Sequence, residues 1–278
     1  MEDRSYANPS LLFTPQALHG RLGDPKLLVI DVRPTPDYVR GHIAGAVHFD
    51  LYGISLNDTR PGPLAAFMWM VSYLMAHRGV DYPKTVVFYE DNSGFKASRG
   101  FWFLEYFGHE DAHVLDGGLS AWKEGGFPLS AEPVDPVPTK FDPATRAEGR
   151  IADADLILKH LNDPRVCILD TRSDEEYTGK LVRSVRGGAI PKAVHIEWKR
   201  NLDAKGRYKS AADLKALYEA RGVTSEKIVI PYCQGGYRAA HAYLALRLIG
   251  YPHVRNYVGS WKEWGDREDL PIETPSHP

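Results

Sequence analysis

The chain has 278 residues, of which 43% are hydrophobic and 25% are charged, and its formal net charge at pH 7 is −2. This composition is typical of soluble globular proteins, and the length suits two domains of ordinary size. A net charge so close to zero argues against nucleic acid or an anionic membrane as the main partner, so an anionic substrate would have to be bound by local positive potential.

The predicted location is the cytoplasm. Residues 1–10 contain charged and polar side chains and no apolar core, so they do not resemble a secretory signal. No run of about 18 apolar residues could span a bilayer, so no membrane partner is expected. The chain has two cysteines, Cys167 and Cys233. A disulfide between them is allowed by the count, but in a reducing compartment a lone loop cysteine is more often a thiol.

The first half of the chain alternates predicted strands and helices. Short apolar runs bounded by polar residues, Gly or Pro predict buried strands at Leu27–Ile30 and Val86–Tyr89. A helical pattern covers Phe95–Phe107 and ends at Gly108, the residue preferred just after a helix. The segment Pro128–Pro138 then has four prolines in eleven residues, which predicts a semi-extended surface linker.

The second half repeats the first. Strands are predicted at Val166–Leu169 and Ile228–Ile230, and a helix over Arg238–Ile249. A gapless alignment that pairs Asp91 with Cys233 brings several glycines and a tryptophan into register. Alternating strands and helices predict an α/β fold with parallel sheets. The expected division is a first domain over residues 1–130, a linker over 131–145 and a second domain over 146–278.

The segment Ile228–His241 carries the chemistry. A strand ends, Cys233 begins a tight glycine-containing loop, and a helix follows. Loop N–H groups can form an anion-binding nest, and the helix N-terminus adds partial positive charge, so the pKa of the thiol should fall below about 8.5. Gly235 and Gly236 let the backbone curl around the sulfur, and the Arg238 guanidinium suits an oxyanion. The loop would therefore activate a nucleophile and bind an anion.

Several other residues join the predicted site. Gln234 and Tyr237 contribute backbone N–H groups whatever their side chains do. Arg183 and Arg186 lie in an insertion of the second half; they would add positive potential if the insertion overhangs the loop, and otherwise form a solvated charged stretch. The candidate residues are the catalytic Cys233 and, for substrate binding, Gln234, Gly235, Gly236, Tyr237, Arg238, Arg183 and Arg186.

Six motifs together resemble the rhodanese family, specifically the tandem-domain thiosulfate and mercaptopyruvate sulfurtransferases. They are Asp31-Val32-Arg33, Gly41–Ala46, Asp170-Thr171-Arg172, Cys233–Arg238, Asn256–Trp261 and Trp264. The resemblance implies two tandem rhodanese-like domains, each a five-stranded parallel sheet flanked by helices, with a silent N-terminal domain and a catalytic C-terminal one. The alignment agrees, because it places Asp91 where the second half has Cys233, and Asp cannot hold a sulfane sulfur.

The resemblance also implies double displacement without a metal or organic cofactor. The Cys233 thiolate takes the outer sulfur of thiosulfate as a persulfide, and a thiophilic acceptor (cyanide, a thiol or thioredoxin) removes it. The loop has Gln234-Gly235, where animal thiosulfate enzymes have two basic residues and mercaptopyruvate enzymes have Gly-Ser, so it is more similar to bacterial members. We therefore expect thiosulfate as the sulfur donor, with 3-mercaptopyruvate as the alternative.

Two alternatives come from other functional classes. A cysteine phosphatase uses a related cradle, but with five residues between Cys and Arg, whereas four separate Cys233 from Arg238. A sulfur carrier or redox sensor would load one sulfur and turn over poorly.

Other polar residues are expected to be structural. Arg33 and Arg172 each follow an aspartate and should form repeated ion pairs, and Cys167 should be inert core. The histidines expected to be structural are His48, His195 and His241.

Overall fold

The computed structural model describes residues 4–143 and 147–278. The first half forms one parallel sheet with helices packed on it. Its strands are β1 (Leu12–Phe13), β2 (Leu27–Asp31), β3 (Val47–His48), β4 (Thr85–Tyr89) and β5 (Ala112–Leu115). Its helices are α1 (Pro15–His19), α2 (Thr35–Arg40), α3 (Pro61–Ala76), α4 (Phe95–Tyr106) and α5 (Gly118–Glu124). The strand order is β1-β5-β4-β2-β3, so β4 lies at the centre.

The second half repeats this arrangement. Its strands are β6 (Ile151–Ala152), β7 (Val166–Asp170), β8 (Val194–His195), β9 (Ile228–Tyr232) and β10 (Asn256–Tyr257). Its helices are α6 (Ala154–His160), α7 (Asp174–Tyr177), α8 (Ala211–Glu219), α9 (Tyr237–Leu248) and α10 (Ser260–Trp264). All its strand pairs are parallel, in a three-stranded sheet β8-β7-β9 and a two-stranded sheet β10-β6.

The expected five-stranded sheet is thus confirmed in the first domain and wrong in the second. The physical reason lies in β9. Val229 donates its N–H to the His253 carbonyl and accepts from the Arg255 N–H, both at 2.9 Å. Two residues further on, Pro231 faces the same side and has no N–H to continue the ladder. The contact therefore stops at one bridge, and β10 pairs with β6 alone.

The predicted strands and helices are present to within one or two residues at each end. Gly108 and Gly250 follow the long helices with φ of 74° and 89°, the left-handed conformation expected of a residue that ends a helix. Residues 131–143 form no helix or strand, whereas positions 144–146, which include the predicted end of the linker and start of the second domain, lie outside the described residues. Within residues 4–143 and 147–278, no helix is long and apolar enough to cross a membrane.

The two domains pack through α4 and α9, whose apolar side chains belong to one continuous core. At one end of this helix pair Glu105 accepts a hydrogen bond from Arg247 at 2.9 Å. Helix α4 begins after β4, the central strand of the first sheet, and α9 begins after β9, an edge strand of the three-stranded sheet. The packing of α4 against α9 therefore brings both strand–helix loops to the domain interface. Ligand sites in open parallel sheets lie at such carboxyl ends of strands.

Candidate active site

Cys233 is the first residue after β9 and begins a four-residue loop, Cys233–Gly236, called here the active loop. The adjacent start of α10 fixes its backbone. The Cys233 N–H donates to Ser260 Oγ at 3.1 Å, and the Cys233 carbonyl accepts from the Trp261 N–H at 2.8 Å. The Gln234 carbonyl accepts from the Lys262 N–H at 2.9 Å. With the loop held in this way, the N–H groups of Gly235, Arg238 and Ala239 face the sulfur.

The Cys233 thiol is 1% exposed and lies among hydrogen-bond donors. Burial alone would raise its pKa, but the Arg238 charge and the backbone N–H groups of Ala239, Gly235 and Arg238 oppose burial and lower the pKa below its ordinary value. The direction agrees with the sequence prediction. The structure thus has the main-chain dipoles and one guanidinium needed to hold an anionic sulfur at this position.

Arg238 is held by a carboxylate that the sequence analysis did not identify. Its Nη2 donates to Glu176 Oε1 at 2.9 Å, and the Glu176 side chain is 3% exposed. Burial would raise the pKa of Glu176, but the bond and charge of Arg238 lower it to about 2. Arg183 approaches the same carboxylate at 3.5 Å. Glu176 therefore orients Arg238 beside the thiol and offsets part of its charge.

Gly236 makes the turn into α9 possible. Its φ is 83°, and a Cβ built there would lie 2.5 Å from Arg99 Nη1 and 2.9 Å from the Val258 carbonyl oxygen. We expect Gly236→Ala to lower the free energy of unfolding by at least about 3 kcal/mol, because left-handed strain and overpacking add.

Gly222→Ala is the matched control, since Gly222 has φ of 72° and no atom within 4 Å of its Cβ position. It should cost only about 1–2 kcal/mol. Urea unfolding of both variants measures the difference, and equal losses would contradict the close approach at Gly236.

The active loop opens into a cavity of about 480 Å³ between the domains. On the side of the second domain, the cavity is lined by three residues of the active loop and by Tyr237 and Arg238. Three cations form its rim: Arg183, Lys199 and Lys262, whose side chains are 48%, 69% and 44% exposed. Contacts with Glu197 and Asp266 partly offset the two lysines. The arrangement attracts anions towards the thiol.

Six of the predicted residues line this cavity: Arg183, Cys233, Gln234, Gly235, Tyr237 and Arg238. Two of them also anchor the active loop through hydrogen bonds. Gln234 donates from Nε2 to the Arg183 carbonyl and to Ser184 Oγ, at 3.1 and 3.0 Å. This holds the insertion over the cavity. Tyr237 donates its hydroxyl to the carbonyls of Leu51 and Ile54 in the first domain, at 2.9 and 2.8 Å.

Among the predicted residues, Gly236 and Arg186 do not line the cavity, Gly236 because it makes the turn into α9. The Arg186 guanidinium donates to the carbonyls of Trp264, Gly265 and Leu270. The last carbonyls of a helix have no partner within the helix, and a guanidinium with several N–H groups can donate to them. Arg186 does this at the end of α10. The structure thus places Arg186 outside the cavity, against the end of α10.

The profile of the rhodanese-like domain matches the chain twice, at residues 14–125 and 153–267. The chain belongs to the rhodanese family. It is 34% identical to the sulfur carrier protein TtuD of Thermus thermophilus and 33% identical to the thiosulfate sulfurtransferase of Azotobacter vinelandii, in each case over 96% of this chain and 98% of the relative.

A solved structure, the anaerobic ergothioneine biosynthesis enzyme from Chlorobium limicola, superposes with a TM-score of 0.82 and covers 95% of this chain and 70% of its own. At 22% identity this likeness concerns the fold alone.

The loop between β4 and α4 of the first rhodanese domain corresponds to the active loop, but the two align differently from the sequence prediction. Tyr89 and Tyr232 are the matching strand ends, because each donates its hydroxyl to the aspartate of the neighbouring strand. Five residues then precede α4 and only four precede α9. Glu90, not Asp91, therefore occupies the place of Cys233. The gapless alignment missed one extra residue, but a carboxylate at this position still cannot hold a sulfane sulfur.

Glu90 also reveals what such a loop binds. Its carboxylate accepts from the N–H groups of Lys96 and Ala97 at 2.6 and 2.9 Å. These are the second and third residues of α4, as Arg238 and Ala239 are of α9. Burial nevertheless raises the pKa of Glu90 to about 7. The first rhodanese domain thus fills its own cradle with an acidic side chain, whereas the second presents a thiol there.

Arg33, Arg172 and His241, which were expected to be structural, make buried contacts with neighbouring protein groups. Arg33 and Arg172 form buried ion pairs with Asp31 and Asp170, each at 2.6 Å. Burial lowers the pKa of His241 to about 3, and this histidine donates to the Ser93 carbonyl away from the cavity.

Sequence reasoning missed the cavity residues of the first rhodanese domain, which are Tyr52, Gly53, Ser55 and Phe95. They follow no local motif, because only domain packing brings them to Cys233. It also missed Glu176, for which a signal existed: Ser173 and Glu176 form a capping box immediately after the Asp170–Arg172 motif.

Proposed function

We propose that this chain is a thiosulfate sulfurtransferase in which Cys233 carries the transferred sulfur. The thiolate attacks the outer sulfur of thiosulfate; a Cys–S bond forms, the sulfur–sulfur bond of the donor breaks, and sulfite leaves with the electron pair. An acceptor nucleophile then attacks the terminal sulfur of the persulfide. With cyanide, thiocyanate is released and the Cys233 thiolate is regenerated, so atoms and charge balance without a cofactor.

The observation that carries this proposal is the donor set around the sulfur. The N–H groups of Gly235, Arg238 and Ala239, with the Arg238 charge, lower the pKa of Cys233 despite its burial. The same preorganised dipoles would stabilise negative charge on a persulfide. The loop around Glu90 supports this function, since the equivalent N–H groups there already donate to an oxygen of a carboxyl group.

The substrates follow from charge and size. The rim cations Arg183, Lys199 and Lys262 favour a small dianion such as thiosulfate, and relatives with the thiosulfate sulfurtransferase name support this donor. 3-Mercaptopyruvate is the alternative donor, and comparing kcat/KM for the two distinguishes them. Both cysteines are free thiols, which suits the predicted cytoplasmic location and thiol acceptors, including thioredoxin.

Intact mass spectrometry after addition of thiosulfate tests the persulfide directly. We expect a gain of one sulfur, about 32 Da, which a thiol reductant or cyanide removes. The Cys167→Ser variant should gain the same mass, because Cys167 lies within β7, where burial raises its pKa to about 11. Sulfur found on Cys167 instead of Cys233 would overturn the assignment.

A sulfur carrier is the second candidate, favoured by the similarity to TtuD. A carrier and an enzyme load the same sulfur but differ in turnover with small acceptors. Stoichiometric loading followed by slow release to cyanide would identify a carrier, whereas many thiocyanate molecules per chain would identify an enzyme.

A further inference from the structure

Arg99 lies on α4 of the first domain and reaches the active loop of the second. It is 0% exposed. Its Nη1 donates to the Gly235 carbonyl at 3.0 Å, and its Nη2 donates to the Ile54 carbonyl at 3.1 Å. The guanidinium also lies over the ring of Tyr237, 4.1 Å from the centroid. One side chain of the first domain therefore contacts the active loop, the first turn of α9 and a cavity-lining segment of its own domain.

Arg99 is unusual among the buried arginines because it has no carboxylate partner. Arg33, Arg172 and Arg238 each pair with an acidic side chain. Within the described ranges no acidic side chain forms an ion pair with Arg99, and its Nε has no hydrogen-bond partner. Burial lowers the pKa of Arg99, and attraction to Tyr237 and Cys233 only partly offsets burial. An unpaired buried charge is costly, so such an arrangement calls for a compensating anion.

The backbone is shaped to admit this guanidinium. A Cβ on Gly236 would lie 2.5 Å from Arg99 Nη1, so the left-handed glycine leaves the space that the side chain occupies. Gly235, whose carbonyl Arg99 holds, donates its own N–H to the Cys233 sulfur. The Gly235 carbonyl is coplanar with the Gly236 N–H, so Arg99 fixes the orientation of the peptide unit that follows the Gly235 N–H donor.

We propose that Arg99 is a positioning residue for sulfur transfer: it clamps the active loop from the first domain, and the anionic sulfur on Cys233 compensates its buried charge. The first domain then contributes to catalysis although it carries no nucleophile. This inference rests on the proposed function, because it needs Cys233 to work as a thiolate and persulfide.

Other charged groups also surround the sulfur, so the effect of Arg99 must be separated from theirs. On α9 these are Arg238 and the hydroxyl of Tyr237, with Glu176 behind Arg238. At the mouth of the cavity they are Arg183, Lys199 and Lys262. Of these groups only Tyr237 lies against Arg99, so a substitution at position 99 removes the guanidinium over its ring and leaves the contacts of the others in place.

The test measures the rate of Cys233 alkylation by iodoacetamide against pH, together with kcat for thiocyanate formation. Loss of a positive charge near the thiolate raises the thiol pKa, so Arg99→Gln should shift the alkylation midpoint to higher pH and lower kcat roughly tenfold at neutral pH. Arg99→Lys keeps the charge but cannot hold both carbonyls in the same geometry. It should lower kcat while leaving the midpoint close to that of the wild type.

Arg247→Gln is the matched control, since it removes another guanidinium from the α4–α9 interface, one that pairs with Glu105. Its midpoint should equal that of the wild type. The proposal is overturned if Arg99→Gln keeps the wild-type midpoint, if Arg99→Lys moves it as far as Arg99→Gln does, or if Arg247→Gln shifts it equally. Failure of the wild type to take sulfur from thiosulfate would instead refute the proposed function, because alkylation does not depend on that donor.

Discussion

Replacing Cys233 with serine is expected to reduce thiocyanate formation from thiosulfate and cyanide by more than about 10³-fold. A serine hydroxyl stays protonated in the cradle that lowers the pKa of the thiol, and it cannot form a persulfide. The exchange of sulfur for oxygen is nearly isosteric, so the variant should remain folded. Initial rates of thiocyanate release, with thermal unfolding as a check, measure both effects.

Cys167→Ala is the control for this loss. Cys167 is buried in β7, in the core of the second domain, so the variant should be less stable but keep its kcat. Full activity in Cys233→Ser, or a comparable loss in Cys167→Ala, would contradict the assignment of the nucleophile.

Replacing Arg238 with methionine is expected to have two separable effects. First, kcat should fall about 10²-fold, because the guanidinium charge next to the developing persulfide is lost. Second, the free energy of unfolding should fall by about 3 kcal/mol, because Glu176 is left buried without its main partner. Steady-state rates and urea unfolding measure the two quantities independently.

The double variant Glu176→Gln with Arg238→Met separates stability from catalysis. A neutral amide removes the unpaired buried charge, so most of the lost stability should return. Activity should stay low, because the cation beside Cys233 is still absent. Recovery of activity in the double variant would show that Arg238 acts only through folding. Wild-type stability in Arg238→Met would show that the pair with Glu176 has no energetic role.

The two loops after β4 and β9 offer an internal comparison of what the cradle binds. In one, the N–H groups of Lys96 and Ala97 hold the Glu90 carboxylate, and in the other the equivalent groups face Cys233. The two N–H groups at the start of the helix are shared, whereas the first loop is one residue longer and begins with Glu90 instead of Cys233. The repeat therefore keeps two helix N–H donors aimed at the first residue of each loop, which is a carboxyl group in the first domain and a thiol in the second.

Local residue order alone was enough to predict the repeated α/β units, the strand before Cys233, the helix after it and the lowered pKa of the thiol. These features depend on spacings of a few residues: apolar runs, a glycine turn and a helix start. The motifs Asp31–Arg33 and Asp170–Arg172 were likewise interpretable, because each ion pair closes within two residues.

Tertiary packing decided everything that joins distant segments. The first loop is one residue longer than the second, and this makes Glu90 the residue equivalent to Cys233. The difference emerged only from the strand pairing. Arg99 contacts Gly235 across 136 positions of chain, and Glu176 reaches Arg238 across 62. Such pairs leave no periodic signal in a single sequence, because packing within and between the domains, not chain proximity, determines which polar groups must satisfy one another.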